Sequence, residues 1–489
     1  MSADVCLILE GSYPYVRGGV AAWTHELITR QDHLRFHLVS LLPRDEKPEQ
    51  QYQLPDNVTG LTNIHLQRIL PGRNLSHSEG EALFNALHDP LVHLTTDIAK
   101  VEDFEQMRRA MSRHNGTIGA EALLNSEPAF ALIVKMYEER FAESSMLDYF
   151  WSWRAVVAAL YSLLLPKLPD AKVYHALSTG YAGLLLARAK LEKKRPALLT
   201  EHGIYTNERR IEIALADWLT ETSIKALTID HTRHSLRDFW METFTNYSRV
   251  AYATADRIIT LFAGNQQAQT ADGADPAKMA IIPNGVDIER FAALPRKPHE
   301  RPTVAFIGRV VPIKDVKTFI RAVAALRSRM PDIRALVLGP TDEDPKYVAE
   351  CQAMVEHYAL SAQVEFLGQV RVDDYMPEID VVIFSSLSEA QPLVILEAGA
   401  CGIPVVATDV GACRELIMGR IDETPRLGPG GAVVPLSSPQ SLADAAFRLL
   451  TDRDYYQACS NALRERIATW YDKRQQMQSY KALYEQCMA

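Results

Sequence analysis

The chain has 489 residues, with 52 lysines and arginines against 61 aspartates and glutamates, so its formal charge is −9. With 47% hydrophobic and 23% charged residues, the composition is that of a globular protein and excludes collagen-like, disordered and disulfide-scaffold classes. The acidic balance excludes a general nucleic-acid binder, which needs a basic surface to displace counterions.

At about 150 residues per domain, two to four domains are expected. The six cysteines (Cys6, Cys351, Cys401, Cys413, Cys459 and Cys487) form no CxxC pair and lie near no histidine cluster. A reduced, cytosolic chain without zinc or redox chemistry is the expectation. The opening MSADVCLILE has no basic leader and its apolar run stops at Glu10, so no secretory signal is expected. The apolar stretch from Val156 to Leu165 falls far short of the roughly 20 residues that span a bilayer.

The first predicted strand is VCLILE, Val5 to Glu10. A loop, GSYPYVRGG, and a helix, VAAWTHELITR, follow it. Strand, glycine loop and helix open a nucleotide-fold βαβ unit. RFHLVSLL, Arg35 to Leu42, is the next strand. From about residue 70 to 165 helix formers dominate and strand alternation disappears, which predicts a helical insertion. Strands then return at Lys172 to Leu177, Ala197 to Gly203, Ala255 to Phe262 and Met279 to Asp287, with two helices between Asn207 and Tyr252. The proline- and charge-rich stretch from Ala293 to Pro302 reads as a linker. A second βα series follows, with strands in TVAFIGRV, IRALVLGP, QVEFLGQV, DVVIFSS and IPVVATDVGA. This alternation predicts two α/β domains with doubly wound parallel sheets, whose ligands bind beyond the C-terminal strand ends.

Four places could carry chemistry. In Gly308 to Lys314, Arg309 and Lys314 put two cations beyond a strand end. That suits a diphosphate, and equally describes a solvated loop. Gly18 and Gly19, after Arg17, either bring backbone N–H groups onto an anion or form a tight turn; they do not make a GxGxxG fingerprint. In SEAQPLVILEAGACG, Glu389 falls in the loop and Glu397 on the helix. There the backbone N–H groups of Leu393 and Val394 can face an anion and the two carboxylates can accept bonds from sugar and ribose hydroxyls; alternatively Glu389 is a charge satisfying the helix dipole and Glu397 a surface glutamate. His202, flanked by Glu201 and Gly203 at a strand end, is either a site residue or a satisfied structural histidine. The run Asp342, Glu343 and Asp344 matches a metal-binding DxD by letter but reads as a solvated helix cap.

Together, GGV after the first strand, EHG, IPNGVD, GRV…IK and E-x7-E resemble the retaining GT-B glycosyltransferases of family 4 over nearly the whole chain. The opening ILEGSYPYVRGGVAAWTHELI, with its helical insertion, more narrowly resembles the cytosolic glycosyltransferases of Pel exopolysaccharide synthesis. The resemblance implies two Rossmann-like domains facing a cleft. On this resemblance residues 1–292 would form the acceptor side, residues 303–452 the nucleotide-sugar donor domain, and helices in 453–489 would cross back. It implies that Arg309 and Lys314 hold the donor diphosphate, with Gly18 and Gly19 approaching from the other domain. On the same resemblance Glu397 would take the ribose hydroxyls, and Glu389 and His202 would contact the transferred sugar as the catalytic pair. Val370, at the end of the strand edge from Phe366, meets the base through its backbone.

The resemblance further implies a UDP-linked nucleotide-sugar donor, a polysaccharide acceptor, no metal or other cofactor, and work beside an inner-membrane synthesis complex. A non-catalytic nucleotide-sugar-binding subunit on the same fold is the alternative. One departure stands out: the family often has K-G after the arginine, whereas Asp315 follows Lys314 here.

Overall fold

The computed structural model describes residues 3–43, 48–114, 116–214, 235–297 and 299–489. They separate into two compact units, residues 1–281 with 480–489, and residues 282–479. The first division falls after Ile281, ahead of the linker expected at 293–302. The reason lies in local pairing: Val286 N–H bonds Tyr471 O at 2.8 Å and Lys473 N–H bonds Val286 O at 3.1 Å, which ties this stretch to the second unit.

The first unit holds seven parallel strands: β1 (Ala3–Glu10), β2 (Phe36–Leu42), β3 (Val58–His65), β4 (Ala171–Ala176), β5 (Ala197–Glu201), β6 (Arg257–Thr260) and β7 (Met279–Ile281). Their order is β3-β2-β1-β4-β5-β6-β7. In β1 every residue but the last is buried, as a central strand covered on both faces requires. It pairs with both neighbours in register, Val5 opposite Phe36 on β2 and opposite Val173 on β4. The order reverses between β1 and β4, the switch point where such sheets bind ligands.

Between β3 and β4 run the helices His77–Thr96, Val101–Ser112, Ala120–Leu123, Glu127–Arg140 and Met146–Leu164. Ser76 and Ser145 cap two of them through their side-chain oxygens. Phe104, Met107 and Trp153 of these helices share one apolar cluster with Ile8, Val39 and Leu41 of the sheet. The insertion is therefore part of the first unit's core. Farther on, the helices Tyr205–Ala214 and Leu236–Thr254 lie in the stretch where two were expected. Residues 215–234 of that stretch, and Pro298 of the linker, lie outside the described residues.

The second unit holds six parallel strands: β8 (Thr303–Ile307), β9 (Arg334–Leu338), β10 (Val364–Gly368), β11 (Val381–Phe384), β12 (Val405–Thr408) and β13 (Gly431–Val434). Their order, β10-β9-β8-β11-β12-β13, repeats the first sheet's reversal, here between β8 and β11. The two doubly wound sheets expected from the alternation are thus present. Strands β3 and β13 are additions to that expectation. Among the described residues no helix is long and apolar enough to cross a membrane.

One ionic contact closes the N-terminal end of the first sheet. The Asp4 carboxylate accepts from Lys172 Nζ at 2.9 Å and from the backbone N–H of Arg35 at 3.0 Å. Burial pushes this carboxyl up, but the hydrogen bonds from Lys172 and Arg35 outweigh it and hold the group at about 2, against an ordinary 3.8. A lowered folded-state value means that the contribution is complete above the ordinary value and is lost as pH falls through the folded one. Asp4→Asn is expected to cost about 2 kcal/mol at neutral pH, with the gap to wild type closing between about pH 4 and pH 2. Urea denaturation at both ends of that window checks it.

Candidate functional site

In the second unit the loops after β8 and β11 meet because those two strands are direct neighbours, Val381 lying opposite Val304. After β8 the chain makes a tight turn, Pro312–Lys314, and Asp315 then starts the helix Val316–Arg327. Ser385, just past β11, clamps this turn: its hydroxyl donates to Lys314 O at 3.1 Å and Asp315 O at 2.9 Å. Leu387 N–H adds a bond to Ile313 O at 2.9 Å. So held, the Lys314 ammonium forms an ion pair with the Glu389 carboxylate, 75 residues away in sequence. Both side chains are largely withdrawn from water, at 18% and 15% exposure. The pair is therefore less screened than a surface contact.

Asp315 explains the departure from K-G. Its backbone lies in the left-handed region, φ 45°, where glycine is favoured. The aspartate is retained as a cap, its carboxylate accepting from Thr318 N–H at 3.2 Å. Strain and cap each amount to about 1 kcal/mol, so Asp315→Gly is expected to change stability by less than about 0.5 kcal/mol. Asp315→Ala keeps the strain and loses the cap, and is expected to cost about 1 kcal/mol or more in chemical denaturation.

Arg309 lies exposed on the same loop and pairs with Glu343 at 2.7 Å, both side chains about half open to water. Such a pair is worth little, ~0–1 kcal/mol, so an anionic ligand can take the guanidinium from it. Two of the three acids at 342–344 are thus engaged by the fold itself. Glu343 meets Arg309, and the Asp344 carboxylate caps the helix Pro345–His357 through Tyr347 N–H at 2.9 Å.

Pro392 precedes the helix Leu393–Ala400, whose N-terminus no side chain caps. Leu393 is 40% exposed and Val394 half-buried, so the first turn presents its amides near the surface. Glu397 is half-buried on this helix, and its carboxylate has no hydrogen-bond partner among the described residues. Burial pushes its carboxyl up; the charges of Arg290 and Lys473 pull it back and Asp373 adds to the rise. Val370, two residues beyond β10, is half-buried at the same strand-end edge.

In the first unit Gly18 and Gly19 lead into the helix Gly19–Arg30, exposed, with nothing within 4 Å of a Cβ built on either. Gly18 is extended, φ 174°, a conformation open to any residue. Neither the backbone nor the packing of the unit demands glycine here. His202, just past β5, stands edge-on to Trp23 at 4.5 Å between ring centroids. Burial pushes its imidazole down to about 4, so the ring is neutral at physiological pH. Its Nε2 is buried without a hydrogen-bond partner among the described residues. Glu201 instead turns into the core. There its carboxylate accepts from Gln269 Nε2 at 2.8 Å and from the hydroxyls of Tyr252 at 2.5 Å and Thr179 at 3.2 Å. It is a satisfied structural group. A groove of about 890 Å³ in this unit passes His25, Tyr52 and Asp56, and none of the candidate residues lines it.

Residues 3–277 match the family described as Domain of unknown function (DUF3492), and residues 301–452 match Glycosyl transferases group 1. The chain belongs to the DUF3492 family. Curated relatives align mainly over a limited stretch. D-inositol 3-phosphate glycosyltransferase from Kineococcus radiotolerans is 32% identical over 200 residues, 37% of this chain and 45% of that protein. The chain thus spans less than half the length of the curated relatives it matches. Among solved structures, sucrose-phosphate synthase from Thermosynechococcus elongatus superposes with a TM-score of 0.57 at 17% identity, covering 99% of each chain. HepE from Anabaena in complex with UDP and glucose gives 0.57 at 14% identity, also covering 99% of each. At these identities the likeness is one of fold, and the fold is GT-B.

In this DUF3492 chain the second unit pairs Lys314 with Glu389 and carries Arg309, Val370, Leu393, Val394 and Glu397 on the segments that follow β8, β10 and β11. The first unit carries Gly18, Gly19 and His202 at its own. Sequence reasoning missed Ser385, which clamps the Lys314 turn, and nothing in the sequence signals it. It also passed over Gly411. A Cβ at Gly411, φ 51°, would collide with the carbonyl oxygens of Glu389 and Ala390. The close approach lets Ala412 N–H bond Ala390 O at 2.7 Å and supports the Glu389 loop from beneath.

Proposed function

We propose that the protein is a retaining glycosyltransferase that moves a hexose from a nucleotide sugar, UDP-linked as in UDP-glucose or a UDP-N-acetylhexosamine, to a growing exopolysaccharide. The observation that carries this reading is the half-buried Lys314–Glu389 pair at the switch point of a doubly wound sheet. It sets a cation and a carboxylate side by side where a diphosphate and its sugar would meet. The match of residues 301–452 to Glycosyl transferases group 1 supports it.

As the bond from the anomeric carbon to the diphosphate oxygen breaks, negative charge grows on the leaving group. Lys314, Arg309 and the amides of Leu393 and Val394 stabilise that charge. Glu389 contacts the sugar near the reacting carbon and Glu397 holds the ribose hydroxyls. The base lies along the backbone near Val370. The resemblance further assigns His202 to a sugar hydroxyl and Gly18 and Gly19 to the diphosphate. The acceptor oxygen attacks on the leaving-group face, and its proton passes to a phosphate oxygen, so configuration is retained. Because the cations are side chains, no metal is required.

The likeness of the opening segment to PelF, a cytosolic glycosyltransferase of Pel exopolysaccharide synthesis, points to Pel as product and to an inner-membrane synthesis complex as partner. The test is incubation with radiolabelled UDP-glucose or UDP-N-acetylhexosamine and a membrane extract, with EDTA present. Labelled polymer and released UDP are expected. Binding of the nucleotide sugar without transfer or hydrolysis would replace this reading with that of a non-catalytic binding subunit.

A further inference from the structure

The loop between β11 and the helix Leu393–Ala400 is held from three sides. Lys314 pairs with Glu389, Ala412 N–H bonds Ala390 O, and Asn284 N–H donates to Gln391 Oε1 at 2.7 Å. The last contact fixes the amide of Gln391. A backbone N–H can only donate, so the side-chain oxygen must face it and the amino group must point elsewhere. Asn284 is itself fixed, since Gln476 Nε2 donates to its Oδ1 at 3.3 Å and Gln476 Oε1 accepts from Gly285 N–H at 3.1 Å.

Gln391 is 6% exposed, and its Nε2 has no hydrogen-bond partner among the described residues. Leaving a buried amide donor unmet is costly, and cores rarely tolerate it without a reason. The same loop holds a second such group, the hydroxyl of Ser386, which is fully buried and also unpartnered among the described residues.

We propose that Gln391 is a donor-recognition residue: with its oxygen locked on Asn284 N–H, its Nε2 donates a hydrogen bond to an oxygen of the bound nucleotide sugar. The inference rests on the proposed glycosyl transfer and adds to it a residue that neither the cationic pair nor the paired glutamates include. The acceptor atom is an oxygen of the diphosphate or a hydroxyl of the sugar. Either is rich in lone pairs and would meet the unmatched amino group two residues before the free helix amides at Leu393.

Calorimetric titration of wild type, Gln391→Glu and Gln391→Met with UDP and with UDP-glucose tests it. The glutamate keeps an acceptor for Asn284 N–H and loses the donor; the methionine is close in shape and loses both. Affinity for UDP-glucose is expected to fall about tenfold in both variants, the effect of one ligand hydrogen bond. A parallel fall for UDP assigns the acceptor to the diphosphate. A fall for UDP-glucose alone assigns it to the sugar. Thermal denaturation without nucleotide separates binding from folding, and the glutamate variant, which keeps the Asn284 contact, carries the test if the methionine variant does not fold. Wild-type affinity in both variants, with or without a lowered melting temperature, overturns the inference while leaving the transferase reading intact. A wild type that binds neither UDP nor UDP-glucose overturns both.

Discussion

Lys314→Ala is expected to lower turnover of the nucleotide sugar by about 10²–10³-fold, the usual effect of removing one group that stabilises developing charge. The side chain is fixed in place by the Ser385 clamp on its carbonyl and by the Glu389 carboxylate at its tip. Little reorganisation is then needed when the leaving group becomes charged. The loss should fall mainly on kcat, since the charge being met is largest in the transition state. Arg309, exposed and paired with Glu343, is expected to act more on KM, and its alanine variant to lose about tenfold. Initial rates of UDP release across a donor series, with thermal melts of each variant, check both. An unchanged kcat in a folded Lys314→Ala protein would remove the basis of the proposed mechanism.

The second large effect concerns stability. Arg466, on the helix Arg453–Trp470, has no exposed side-chain surface and meets Glu423, itself 1% exposed, through Nε at 2.5 Å and a second guanidinium nitrogen at 3.0 Å. The remaining donors reach Ile417 O at 2.9 Å and Gly428 O at 2.6 Å. One guanidinium thus joins the end of the helix Cys413–Met418 to the loop leading to β13. Removing one member of a fully buried pair strands the other charge, so Arg466→Ala is expected to cost about 3–5 kcal/mol. That corresponds to a fall in melting temperature of roughly 10 °C for a unit of this size.

Arg466→Met combined with Glu423→Met should recover most of that loss, because neither charge is then left unpaired. A double variant no more stable than the single one would mean that the carbonyl bonds, rather than the ion pair, hold the loop. Burial pushes the Glu423 carboxyl up, but Arg466 pulls it below its ordinary range. The pair's contribution is therefore complete above the ordinary carboxylate range and is lost as pH falls below it. Calorimetric scans at neutral and acid pH should show the wild type approaching Arg466→Ala in acid.

The alternation of buried strands with amphipathic helices was legible from composition alone, because a strand buried on both faces must be apolar along its length. VCLILE, TVAFI and DVVIFSS read directly as β1, β8 and β11. Two strands were not legible. β3, VTGLTNIH, is an edge strand with one covered face, and only Ile64 of it is buried. β13, GAVV, is too short to show a period and is a strand because β12 lies beside it. Of the site, the residue types at strand ends were legible: Gly308 with Arg309 and Lys314, Glu389 and Glu397, and His202. The different fates of Glu201 and His202 were not, since adjacent residues on a strand point to opposite faces and only the packing assigns one face to the core.

By itself the sequence determined that this chain forms two βα series and that cations and carboxylates stand at the ends of its second set of strands. Both follow from patterns only a few residues long. Which of those groups meet was decided by tertiary structure. Lys314 reaches Glu389 because β8 and β11 are neighbours at the point where strand order reverses, a pairing of segments some 75 residues apart. The same holds for Arg309 with Glu343 and for Gln391 with Asn284. The energy of each contact depends on distance and on the exclusion of water, and neither exists until the sheet has set its order.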